Sequence, residues 1–461
     1  MPSKTQAVEA QLYAELLPNI RQITLYASFP SSSSHDPIQA SQAIPTTLEC
    51  SFSLSSSRDS VTLSYNGQTQ SLTLPARTSE ASRAILASRS PTHLDPKQET
   101  ELSFRLQADL AAKSFPGDND DDTDGEIPWT AHRMGSGTKV RCRKCESIFL
   151  EARGEDVLVW KDLPSADWAE MMELWHCHKP DDHDHGHEHG EGGGEGGKGG
   201  HVHDENEVLK GYGAANRVVC EAGTVLVDVS SFIVAEEDCR GLKKDSTTTP
   251  SSPSQPKKTQ QLLCTTCLTS IGEEHPPLQG FRIWKANVSV LRKGANHDND
   301  DNDDNDDNAT LDDGEWETIP LDTIVSAHLL ELIERVGARR FAVHRNEDGD
   351  GEDGEDGILL WVFNPSLRYS HSHTSSSSPT PPNASTSSRR AMKVLYQPLP
   401  NVHTILNPET GTPSSASLEE LCLPANLYVE LLERLEEVRV KVLPGSARRF
   451  QGWEVGILDR F

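Results

Sequence analysis

Val140-Arg-Cys-Arg-Lys-Cys-Glu-Ser-Ile-Phe-Leu150 is the stretch that decides the fold, because it sets a Cys-x-x-Cys pair in front of an apolar, strand-like run. The pattern recurs in Leu263-Cys-Thr-Thr-Cys-Leu-Thr-Ser-Ile-Gly272. Two such pairs supply the four thiolates of a tetrahedral structural zinc site. We therefore expect the two halves to meet across one zinc ion and the chain between them to loop out. The predicted ligands are Cys142, Cys145, Cys264 and Cys267.

Four protein ligands would close this site, so that no position remains for water and the metal contributes to folding instead of chemistry. The alternatives are buried or incidental cysteines, or a redox pair of the thioredoxin type. A redox pair needs a βαβ context, which surrounds neither cysteine pair. The doubled motif favours zinc.

Composition and charge exclude several classes of partner. The chain has 461 residues with 43 basic and 71 acidic side chains, so its net charge is −28. Such a balance is unsuited to nucleic acid, whose phosphates are bound through lysine and arginine, and anionic membranes are excluded on the same ground. The sequence shows neither a membrane-spanning apolar run nor an N-terminal apolar signal region. We therefore expect reduced cysteines and a cytoplasmic or nuclear location.

Hydrophobic patterning predicts an α+β fold, with an antiparallel β-rich body, a zinc-pinned β module and a few amphipathic helices. Asn66-Gly67 predicts a tight hairpin between two alternating runs. Residues 280–291 alternate as one long strand, and residues 321–336 predict an amphipathic helix that ends at Gly337. Only 35 % of residues are apolar, against roughly 45–50 % in globular proteins, which predicts disordered acidic and serine-rich inserts.

We expect residues 8–461 to form one domain with these inserts looped out of it. Its predicted parts are a β-rich N-terminal part (8–115), a zinc-pinned module (138–295) and an α+β C-terminal part (315–461). The histidine-rich insert is typical of a solvated linker, with loose metal storage as the alternative, and the acidic tracts lack the ligand spacing of a calcium loop. The predicted inserts are 116–127, 179–207, 243–260, 295–314, 346–357 and 371–390.

A second candidate surface follows the first cysteine pair. Residues 163–178 predict a helix with large apolar side chains at positions i, i+3, i+4 and i+7, a pattern typical of a core face and also of a surface that docks a partner protein. The helix ends at Cys177 and His178, which are either a packing cysteine beside a solvated histidine or further metal ligands. The apolar face consists of Trp168, Met171, Met172 and Trp175.

Five elements of the sequence resemble the HECT-like ubiquitin-conjugating-enzyme (E2)-binding proteins. The resemblance runs from about residue 10 to the C-terminus with the inserts excluded. It implies an E3 ubiquitin-protein ligase that binds an E2 and ubiquitin and promotes ubiquitin transfer to lysines of protein substrates. The elements are the two cysteine pairs, Leu163-Pro-Ser-Ala-Asp-Trp168, Trp175-His-Cys-His178 and Lys393-Val-Leu-Tyr-Gln-Pro398.

The resemblance also implies where a catalytic cysteine would stand. HECT chemistry uses a Leu-Pro-x-x-x-Cys setting near the C-terminus, which here is Leu423-Pro-Ala-Asn-Leu-Tyr428. Tyr428 occupies the position of the nucleophile and cannot form a thioester, so Cys422 is the remaining candidate.

The alternative function is a non-catalytic, zinc-stabilised scaffold in a nuclear complex, such as the pre-mRNA 3′-end processing machinery with which members of the family have been linked. A local similarity fits either function. Gly280-Phe-Arg-Ile-Trp-Lys285 is similar to a segment of the zinc-pinned β-tent modules of the Yippee and cereblon ligand-binding type.

Overall fold

The computed structural model divides the chain into two compact units. Unit 1 combines residues 1–128 with residues 319–461, and unit 2 consists of residues 129–318. The predicted N-terminal and C-terminal parts therefore contribute to the same unit. The structure describes residues 10–29, 48–65, 67–89, 92–94, 100–109, 127–153, 157–163, 219–245, 259–292, 315–345, 356–372, 388–407 and 418–461.

Strands dominate the described residues, and this confirms the predicted β-rich α+β class. The N-terminal strands are β1 (Gln11–Leu17), β2 (Gln22–Phe29), β3 (Leu48–Leu54), β4 (Ser60–Tyr65), β5 (Gln68–Thr73), β6 (Thr92–Leu94) and β7 (Thr100–Gln107). The central strands are β8 (Lys139–Cys142), β9 (Ile148–Leu150), β10 (Val159–Asp162), β11 (Thr224–Val227), β12 (Ser231–Val234), β13 (Leu242–Lys244), β14 (Gln261–Cys264), β15 (Ser270–His275), β16 (Gly280–Trp284), β17 (Val288–Leu291) and β18 (Trp316–Glu317). The C-terminal strands are β19 (Arg340–Arg345), β20 (Gly357–His371), β21 (Arg389–Leu399), β22 (Leu418–Leu423), β23 (Arg449–Phe450) and β24 (Trp453–Asp459).

Four α-helices lie among the described residues. They are α1 (Ala81–Ala87), α2 (Leu321–Val336), α3 (Val402–Leu406) and α4 (Ala425–Lys441). None of these helices combines the length and the apolar character needed to cross a lipid bilayer.

Unit 1 is built on a nine-stranded sheet in which β20 changes partner along its length. The first half of β20 pairs with β19, the second half pairs with β1, and β21 runs beside both halves. A bulge between Val362 and Leu367 separates the two halves. Bulges increase local twist and redirect a strand, so this one allows a single long strand to serve two neighbours.

A four-stranded sheet, in the order β5-β4-β3-β6, shares a core with β1, β2 and β7. Alternate residues of β2 point into this core, and the rings of Phe52 and Phe104 meet edge to face at 4.7 Å. The predicted hairpin is confirmed, since Tyr65 pairs with Gln68 and Gly67 has a φ of 74°. Asn66 itself lies outside the described residues.

Unit 2 contains a seven-stranded sheet, in the order β10-β11-β12-β16-β15-β14-β13, and a four-stranded sheet, in the order β18-β17-β8-β9. The expectation that the chain between the cysteine pairs loops out is wrong. That chain supplies β10 to β13, which fill the same sheet as the second cysteine pair. The paired motifs are therefore joined by a folded β structure.

The long strand predicted over residues 280–291 is also corrected. A buried 3-10 turn, Lys285–Asn287, divides it into β16 and β17, which belong to different sheets of unit 2. The side chain of Lys285 is fully buried over the Phe232 ring, and burial lowers its pKa to about 7. The predicted inserts lie mostly outside the described residues, although β13, β20 and β21 extend into the edges of three of them.

Gly337 ends α2 as predicted, with a φ of 73° and its N–H donating to the Ile333 carbonyl at 2.9 Å. A Cβ at this position would meet no atom within 4 Å, so an alanine would strain only the backbone. We expect Gly337→Ala to lower the free energy of unfolding by about 1 kcal/mol, measured by urea denaturation. Gly337→Asn should cost less, because asparagine tolerates the left-handed region. Equal stability of the alanine variant and the wild type would contradict the assigned cap.

Candidate metal centre

Two equivalent loops of unit 2 hold the four clustered cysteines. The first cysteine loop, residues 142–147, joins β8 to β9, and the second cysteine loop, residues 264–269, joins β14 to β15. The N–H of Cys142 donates to the Ser147 carbonyl at 3.0 Å, and the N–H of Cys264 donates to the Thr269 carbonyl at 2.9 Å. The local hydrogen bonding of Cys-x-x-Cys is thus repeated in both halves.

The residue after the second cysteine of each loop reverses the chain direction. Glu146 and Leu268 have φ values of 64° and 59°, in the left-handed region that non-glycine residues seldom adopt. Their N–H groups donate to the carbonyls of Cys142 and Cys264, each at 2.9 Å. This turn brings the second sulfur of each pair back beside the first.

The four sulfurs converge on one point. The Sγ atoms of Cys142 and Cys267 are 3.6 Å apart, those of Cys145 and Cys264 are 3.5 Å apart, and all four lie within 4.8 Å of one another. A tetrahedral zinc–thiolate site with bonds of about 2.3 Å requires sulfur separations of about 3.8 Å. The geometry therefore fits one metal ion held by four cysteines.

Burial and hydroxyl groups divide the thiols into two kinds. Burial raises the pKa of Cys142 to about 12. The Ser147 hydroxyl, 3.4 Å from the Cys145 sulfur, stabilises the thiolate and lowers the pKa of Cys145 to about 6. The Thr269 hydroxyl lowers the pKa of Cys267 in the same way. A metal ion must therefore displace a proton from Cys142 at neutral pH, whereas the hydroxyl groups favour the thiolate forms of Cys145 and Cys267.

The two hydroxyl residues were missed in the sequence. Ser147 and Thr269 occupy the same position of the two loops, two residues after the second cysteine. Matching hydroxyl residues at one position of a doubled motif were the signal that could have found them. The remaining proposed ligands, Cys177 and His178, and the helix face of Trp168, Met171, Met172 and Trp175 lie outside the described residues.

Cys422, the candidate nucleophile, is an exposed residue of β22 and is in register with His344 of β19. The His344 ring is engaged on both sides: Nε2 is 2.8 Å from a Glu420 carboxylate oxygen, and Nδ1 is 3.1 Å from the Arg345 carbonyl oxygen. The imidazole is therefore not positioned as a general base for Cys422. Tyr428 is buried in the first turn of α4, and burial raises the pKa of its phenol.

The last of the elements that carry the family resemblance, residues 393–398, lies in β21. Its first residue, Lys393, places Nζ 2.8 Å from a carboxylate oxygen of Glu15 on β1, and both side chains are largely buried. Tyr13 donates its hydroxyl to the same carboxylate oxygen at 3.0 Å. The lysine of this motif therefore has a structural partner inside unit 1, far from the cysteines in sequence.

Comparisons with known proteins identify a family and two relatives. A family model described as "HECT-like ubiquitin-conjugating enzyme (E2)-binding" matches residues 15–455. An uncharacterized protein of Schizosaccharomyces pombe, C1734.10c, is 22% identical over 342 residues, which are 73% of this chain and 78% of the relative. An uncharacterized protein of Saccharomyces cerevisiae, YJR141W, is 36% identical over 55 residues, which are 12% of this chain and 15% of the relative. No solved structure matches the chain.

Proposed function

The chain belongs to the HECT-like ubiquitin-conjugating-enzyme (E2)-binding family, and from this premise we propose that it is an E3 ubiquitin-protein ligase that binds an E2 and promotes ubiquitin transfer to substrate lysines. The observation that carries the proposal is the family match over residues 15–455, nearly the whole chain. The E2, ubiquitin and the substrate proteins are the partners that this function requires.

The cysteine cluster would hold a structural zinc ion in this protein. Four cysteines within 4.8 Å of one another are the donor set that zinc prefers, and with all four engaged no position is left for a substrate. The site would therefore fix the two sheets of unit 2 against each other. Reduced thiols of this kind suit the cytoplasm or the nucleus, where we place the protein.

We propose further that ubiquitin passes from the E2 to the substrate without a thioester on this chain. Tyr428 stands where a HECT nucleophile would be, and it is both buried and chemically unable to form the thioester. Cys422 is accessible, but the neighbouring imidazole of His344 is engaged by Glu420 and the Arg345 carbonyl. The role that remains for the chain is to orient the charged E2 toward its substrate.

The test is the discharge of ubiquitin-charged E2 enzymes in the presence of the wild type and of Cys422→Ala. We expect the wild type to accelerate lysine modification with at least one E2, and the variant to do so within about twofold of the same rate, because its thiol is not in the transfer path. Gel analysis with and without thiol reductant is the measurement. A reductant-sensitive ubiquitin adduct that Cys422→Ala lacks would show that transfer uses a thioester.

A non-catalytic scaffold is the second candidate, and it is favoured by the same buried Tyr428. It differs from the first in one outcome of the discharge assay. An E2 that binds the chain but is not discharged any faster would support the scaffold. Absence of binding to every E2 tested would overturn the proposed ligase.

A further inference from the structure

The surface around the metal centre carries two large apolar side chains that the fold does not bury. Leu268, which directly follows a cysteine ligand in the second loop, is 57% exposed, and Ile148, at the exit of the first loop, is 40% exposed. Isolated exposed apolar residues are ordinary on protein surfaces. These two differ because Leu268 lies in the second cysteine loop and Ile148 directly follows the first, so both are next to the metal site.

Leu268 is also an unfavourable choice for its backbone conformation. Its φ of 59° lies in the left-handed region, where glycine and asparagine are preferred and a branched apolar side chain is strained. The equivalent residue of the first loop is Glu146, whose carboxylate pairs with Arg141 at 3.2 Å. Folding alone would therefore favour a small or polar residue at position 268, which points to a role outside folding.

Hydrogen bonds join the two loops into one continuous surface. The Ser147 hydroxyl of the first loop lies 3.0 Å from the Thr266 hydroxyl of the second. The segment before β13 links β9, which follows the first loop, to the second loop: the N–H of Arg240 donates to the Phe149 carbonyl at 2.8 Å, and the Gly241 carbonyl accepts from the Thr265 N–H at 2.9 Å. The exposed apolar residues therefore belong to one preformed patch.

The charge of this patch is opposite to that of the chain. Arg143 and Lys144 at the tip of the first loop and the adjacent Arg240 are exposed, and none of them forms an ion pair with a carboxylate of the described residues. In a chain with a net charge of −28, exposed cations that pair with no carboxylate in the part of the chain that the structure describes are suited to an acidic surface of another molecule.

We propose that this patch is the docking surface for the E2, with Leu268 and Ile148 as its apolar contacts and Lys144, Arg143 and Arg240 paired with carboxylates of the E2. The inference rests on the proposed function, since it names the surface through which the family's E2 partner is bound. Apolar contacts supply most of the affinity of such an interface, whereas charges at its rim accelerate association.

The decisive comparison is between Leu268→Asn and Glu146→Asn. Both place asparagine in the same left-handed position, and Glu146→Asn removes in addition only an exposed ion pair with Arg141. We expect Leu268→Asn to weaken E2 binding about 30-fold, as loss of a central apolar contact does, and to leave the melting temperature unchanged or higher. Glu146→Asn should bind within about twofold of the wild type. Affinity is measured by calorimetry with purified E2 enzymes, together with bound metal and thermal unfolding.

Lys144→Glu provides a second variant that does not depend on the loop conformation. We expect slower association with the E2 and a weaker dependence of the association rate on salt, measured by stopped-flow fluorescence. If Leu268→Asn loses its metal, the affinities of Lys144→Glu and Ile148→Asn for the E2 determine whether this patch is the docking surface. Wild-type binding by all of these variants would overturn the docking surface while leaving the proposed function intact. Failure of the wild type to bind any E2 would overturn both.

Discussion

Replacing Cys142 by serine is expected to unfold unit 2 at ambient temperature. The four sulfurs lie within 4.8 Å of one another, and Cys142 is fully buried at the junction of two sheets. A structural zinc site contributes on the order of 10 kcal/mol in small zinc domains. That value is comparable with the whole net stability of a domain, about 5–15 kcal/mol, so a three-ligand site would leave little reserve.

The measurements are bound metal per chain and circular dichroism as a function of temperature. We expect one metal ion per wild-type chain, less in Cys142→Ser, and loss of the unit 2 transition both in the variant and after treatment with a zinc chelator. Cys220→Ser is the matched control, because Cys220 lies in unit 2 outside the cluster and burial raises its pKa to about 11. A metal content below one ion, with Cys142→Ser as stable as the wild type, would contradict the structural site.

The same site predicts a dependence of metal affinity on pH. Burial holds the pKa of the Cys142 thiol at about 12, so this group is protonated at neutral pH and must lose its proton when a metal binds. Affinity should therefore rise with pH, and loading should release protons into a weakly buffered solution. This dependence separates metal binding by thiolates from adventitious binding by surface carboxylates, which are already ionised.

The sequence was a good guide to structure wherever the determinants were local. The two cysteine loops, the hairpin at Gly67 and the end of α2 at Gly337 each depend on a few neighbouring residues, and the structure contains all three. The burial of β2 and β7 is equally local in origin, because alternate residues of each strand face a single core.

The pairing of strands that are distant in the sequence could not be predicted from local patterns. β10 pairs in parallel with β11 across residues 164–218, and no local pattern indicates that partner. The break between β16 and β17 could not be predicted, because the alternation of apolar and polar residues continues through Lys285. The charge of Lys285 predicts an exposed side chain, whereas the side chain is fully buried. For this reason the chain between the cysteine pairs was predicted to loop out, whereas in the structure it completes the seven-stranded sheet of unit 2.

Replacing Lys393 by methionine is expected to destabilise unit 1 by about 3–5 kcal/mol, because the substitution leaves the Glu15 carboxylate buried without its cation. The side chains of Lys393 and Glu15 are only 15% and 7% exposed, and their charged atoms are 2.8 Å apart. Tyr13 donates one hydrogen bond to the same oxygen, which is not enough to replace the ammonium group. Denaturant unfolding at neutral pH measures the loss.

The double variant Glu15→Gln/Lys393→Met separates two free energies: the net contribution of the ion pair to stability, and the cost of leaving the Glu15 carboxylate buried without its cation. Glutamine keeps an acceptor for the Tyr13 hydroxyl and removes the buried charge, so most of the stability should return. Lys441→Met is the matched surface control: its partner Glu437 is 2.9 Å away, but the two side chains are 70% and 43% exposed, and the expected loss is below about 0.5 kcal/mol. A double variant as unstable as Lys393→Met would contradict the role of Lys393 as the counterion of Glu15. Recovery would show that the lysine of the motif serves as the counterion of Glu15, and that its place in the sequence follows from the fold of unit 1 and not from chemistry on ubiquitin.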